Sequence, residues 1–194
     1  MSEDGENISK LLKEIRKLCN QISLLLVTVD EQMGSNGWEK AGIKNKNTAI
    51  AYSSASVETP KRWFPDTIFR FYINTNYPNI LVFVSIILDD NQIDDFVNYP
   101  VEIKEPLITA GYFDNGSNNK VDKWEHYYAR LYGDMENRID DGRVYESKEN
   151  WQEDWDPECH FQSYKCFGIH LISITNSSDI ESKIIKPLIG LIPK

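Results

Sequence analysis

The strongest constraint on this chain lies at its start. Ile8, Ile15, Ile22 and Val29 recur every seven residues, Leu11, Leu18 and Leu25 fill the positions three further on, and Leu12, Cys19, Leu26 and Met33 add a flanking row. A seven-residue apolar repeat puts all of these on one side of an α-helix. The spacing therefore predicts a long amphipathic helix over about residues 7–33, ended near Gly34 or Gly37. Ile at the first heptad position with Leu at the fourth is a two-stranded coiled-coil pattern. The third row widens the face beyond a strict seam, as suits a helix laid on a sheet. Two readings follow, with opposite consequences for Ile15 and Ile22: either the chain's own sheet covers them, or a second copy does. Lys10, Glu14, Lys17 and Gln21 flank the seam with polar groups.

The rest of the chain reads mainly as strands. Gly34 to Asn47 has the composition of a loop, with Trp38 inside it, and Thr48–Ser53 reads as a short strand. Thr67–Asn74 alternates, with Phe69, Phe71 and Ile73 on one face and Ile68, Arg70 and Tyr72 on the other. Tyr77-Pro78-Asn79 turns the chain into Ile80–Leu88, a strand apolar on both faces, and the pair forms an antiparallel hairpin. Leu107–Phe113 is a further strand, closed by the turn residues Asp114-Asn115-Gly116-Ser117. Asp122–Tyr132 has the density of a middle helix, and Tyr164–Thr175 reads as the last strand. Ser178-x-x-Glu181 resembles a capping box before Ile180, Ile184, Ile185 and Leu188, with Pro187 expected to end or kink that helix. The fold class is α+β: a mostly antiparallel sheet flanked by a long N-terminal helix, a middle helix and a short C-terminal helix. With no repeat or linker signal, residues 1–194 read as a single domain. The lack of βα alternation and of a Gly-rich loop argues against Rossmann and P-loop folds.

Charge narrows the range of partners. The net charge is −9, and residues 86–158 hold roughly 19 Asp/Glu against roughly 7 Lys/Arg. Such a surface repels phosphate backbones, so no generic nucleic-acid binding is expected; it would attract a basic partner. No apolar run reaches membrane-spanning length, and the polar, acidic start is unlike a signal peptide. The odd cysteine count (Cys19, Cys159 and Cys166) lacks a disulfide framework, and the expected location is cytoplasmic.

Candidate chemistry is sparse. Pro65-Asp66 followed by Glu102-Ile103-Lys104 resembles the signature of the PD-(D/E)xK nucleases. That resemblance, confined to five residues, implies a metal-dependent hydrolase in which Asp66 and Glu102 hold a divalent cation and Lys104 assists the attacking water. The sequence departs from the pattern. The strand Ile80–Leu88 separates the two halves, and Glu102 sits between Pro100 and Pro106. The acidic group Asp89, Asp90, Asp94 and Asp95 lacks EF-hand spacing. Cys166 and His170, four apart on one strand, would stand roughly 13 Å apart, too far to share a zinc ion. No motif calls for a cofactor.

Aromatic residues supply the remaining candidates. Trp63 follows Arg62, and Trp151 and Trp155 sit four apart in an acidic segment. Such residues anchor protein interfaces, or else cover a sheet as core. Together with Ile15 and Ile22 of the heptad helix, they make a non-enzymatic protein-interaction or regulatory module the leading expectation, with a protein partner or a homodimer. The alternatives are the nuclease-like hydrolase and an acidic inhibitor that mimics nucleic acid.

Overall fold

An eight-residue strand that is apolar except for one serine must be covered on both sides, which sets where Ile80–Ile87 can lie. The computed structural model describes residues 3–41, 50–51, 67–88, 105–116, 142–147 and 162–193. The elements are α1 (Glu3–Ser35), β1 (Glu39–Lys40), β2 (Ile50–Ala51), β3 (Thr67–Ile73), β4 (Ile80–Ile87), β5 (Leu107–Asp114), β6 (Tyr145–Glu146) and β7 (Ser163–His170). A 3₁₀ turn (Leu171–Ser173) then leads to α2 (Ser177–Ile180), a π-helical turn (Glu181–Ile185) and α3 (Lys186–Leu191). Among the described residues the strands form one antiparallel sheet in the order β1-β3-β4-β5-β7-β6, with β2 also paired to β3. The fold is α+β. β4 lies between β3 and β5 and is buried at every position.

Register assigns the faces. Arg70, Val84, Ala110 and Phe167 lie abreast, as do Tyr72, Val82, Tyr112 and Lys165. This face carries the helices: Ile22, Leu25, Leu26, Val29 and Met33 of α1, with Ile180, Ile184, Ile185 and Leu188 beside them, close over Tyr72, Val82, Val84, Ile86, Ile108 and Phe167. The opposite face is equally dry. Phe69 stacks on Phe71 at 5.9 Å, and Phe113 meets Phe83 at 5.1 Å and Tyr164 at 6.1 Å.

The hairpin β3–β4 and the alternation along β3 agree with the sequence pattern. Several boundaries differ. The segment after α1 is not all loop, because Glu39 and Lys40 pair with Ile73 and Tyr72 as β1. β7 stops at His170 rather than Thr175. Its partner β5 begins at Leu107, so His170 pairs with Leu107 and the ladder has no further rung; Leu171 instead donates its N–H to Pro106. The last helical run is capped by Asn176, not Ser178. The Asn176 side chain accepts from the N–H groups of Ser178 (2.9 Å) and Asp179 (3.0 Å), while the Asp179 carboxylate accepts from Thr175. Those bonds, chiefly with Thr175, and the nearby Lys183 ammonium hold the Asp179 carboxyl down at about 2. Pro187 does not end the helix, which runs on to Leu191. A proline in a helix lacks an N–H and crowds the preceding turn, and the wider π turn just before it accommodates that. The expected middle helix, Asp122–Tyr132, lies outside the described residues.

Gly111 shows how closely β5 and β7 approach. A Cβ there would come within 2.2 Å of the Lys165 carbonyl oxygen and 2.6 Å of Cys166 Cβ. Backbone cannot yield as a side chain tip can, so Gly111→Ala should destabilise the fold by about 3 kcal/mol or more. Met33→Ala, at a position of 0% exposure, should cost about 2–5 kcal/mol. Urea denaturation checks both, and a loss under about 1 kcal/mol at either site contradicts this packing.

Candidate functional site

The two halves of α1 meet different surroundings. From Ile22 onward its apolar rows are buried: Ile22 is 5% exposed, and Val29 and Met33 are fully covered. Before that point the same rows emerge from the body. Ile15 and Leu18 are half-buried, Cys19 is exposed, and Ile8, Leu11 and Leu12 are 61%, 61% and 48% exposed. Coverage by the sheet therefore holds for Ile22 but not for Ile8, and Ile15 sits at the boundary.

Three devices fix the buried half. At its end the helix closes in a Schellman motif: Trp38 N–H donates to Met33 C=O, and Gly37 N–H to Gly34 C=O, both at 3.0 Å. Gly37 has φ 81°, which a glycine tolerates without strain. This turn drives Trp38 into the core, where it stacks on Tyr77 with ring centroids 5.8 Å apart. The third device is polar. Asp30 accepts from both Nε and Nη2 of Arg70 and from the Tyr72 hydroxyl at 2.9 Å, and Lys40 Nζ stands 3.5 Å away. Burial alone would raise the Asp30 carboxyl pKa, but hydrogen bonds from Arg70 and Tyr72 and the nearby positive charges outweigh it and hold it below its ordinary value. Burial, and then the Asp30 carboxylate beside it, push the Tyr72 phenol up, so it remains a donor.

Beside the point where α1 leaves the body runs a groove of about 400 Å³, between the helix and residues 171–180. Leu18, Ile22 and Leu25 form one wall, and Leu171, Ile174 and Ile180 contribute to the other. Leu24 and Ile172, also lining it, are 68% and 72% exposed. Gln21, Thr28, Thr175, Asn176 and Ser177 also line it, so the groove is mixed apolar and polar; none of its lining residues is ionisable.

The exposed half of α1 is also basic. Lys10, Lys13, Arg16 and Lys17 are all exposed there, set against Glu14, which pairs with Lys17 at 2.8 Å. The overall acidity of the chain masks this stretch. Leu24 and Val27, off the main heptad stripe, are also apolar and exposed.

The other sequence candidates, Arg62, Trp63, Asp66, Glu102, Lys104, Trp151 and Trp155, lie outside the described residues. Among the described residues no group of three or more His, Cys, Asp or Glu side chains is placed to hold a metal ion, and no helix is long and apolar enough to cross a membrane. Cys166 and His170 share a face of β7, and His170 Nδ1 lies 3.3 Å from a Glu105 carboxylate oxygen. The chain matches no protein-family model, no curated protein and no solved structure.

The Asp30 cluster makes a pH-dependent prediction. Asp30→Ala removes the acceptor shared by Arg70 and Tyr72 and should lower stability by about 2–3 kcal/mol near neutral pH. Because the folded carboxyl pKa is depressed, the wild-type advantage is complete above the unfolded value of about 4 and shrinks as pH falls through the lower folded value. Urea unfolding of both proteins between roughly pH 7 and pH 2 measures this. A stability difference that stays constant across that range contradicts the assignment.

Proposed function

We propose that this chain is a non-enzymatic protein-interaction module whose docking element is the first half of α1. One observation carries the reading: the apolar stripe that anchors the helix to the sheet continues, through half-buried Leu18 and Ile15, to exposed Leu12, Leu11 and Ile8. Ile8, Leu11, Leu12 and Ile15 occupy positions i, i+3, i+4 and i+7, the anchor spacing by which an amphipathic helix enters an apolar groove. A projecting helix of this length is only marginally stable in water from its own hydrogen bonds, so burial of its apolar side against a partner adds what propensity does not supply. The flanking Lys10, Lys13, Arg16 and Lys17 favour a partner whose groove has an acidic rim, which speeds encounter and fixes register.

A photoreactive residue at position 11, introduced in the cells that make the protein, tests this. It should form protein adducts that are lost when Ile8 and Leu12 are both replaced by Asp. The same probe at exposed Ser182, on the C-terminal helix, should form none above background. The double Asp replacement should leave stability within about 0.5 kcal/mol of wild type, because these side chains contribute to docking and not to the core. Adducts at position 11 no more abundant than at position 182 would overturn the reading.

A further inference from the structure

We draw no further inference here: the strongest candidate, the mixed apolar and polar groove between α1 and residues 171–180, carries nothing because nothing in the structure shows what covers it.

Discussion

The structure depends on one mismatch of length. α1 has 33 residues, roughly 50 Å of rod, whereas the longest strands among the described residues have eight, roughly 26 Å. A helix twice as long as the layer it packs on cannot be buried along its whole length. The overhang falls at the N-terminal end because the opposite end is anchored. Val29 and Met33 are sealed against the sheet, the Schellman turn sends Trp38 back into the core, and β1 follows at once to pair with β3.

That anchorage also sets where the overhang points. The Asp30 carboxylate bonds Arg70 and Tyr72 on β3, and Gln32 donates to the Ser177 carbonyl at the start of α2. Apolar packing alone would allow the helix to slide or roll on the sheet, since dispersion and burial are non-directional. A charge-assisted, forked contact is directional, so it fixes rotation. Rotation decides which rows of α1 face the sheet and which face the groove beside Leu171 and Ile174. The Asp30 cluster and the groove are thus linked through one rigid element.

The parts of the fold that were legible in the sequence are those with a sustained period. The heptads of α1, the alternation of β3 and the apolar run of β4 each report which side of an element is apolar, and the observed elements follow them. Features set by a distant partner were not legible. β1 is two residues long and exists only because β3 is beside it. The end of β7 is decided by where β5 begins, some sixty residues earlier in the chain. Asn176 was as good a cap as Ser178 on residue type, and only its geometry separates them. The candidate site was half legible for the same reason. The heptads marked Ile8 to Val29 as one face, but periodicity carries no information on what covers a face, so the change from exposed Ile8 to buried Ile22 had no sequence signature. Leu24 and Val27 and the basic run from Lys10 to Lys17 did have one, obscured by the acidity of the chain as a whole.

The most direct test is amide hydrogen exchange along α1. A helix with one half packed on the sheet and the other exposed should give strong protection over residues 22–33. Residues 5–18 should exchange fast. Equal protection of both halves would show that the chain's own body covers residues 5–18.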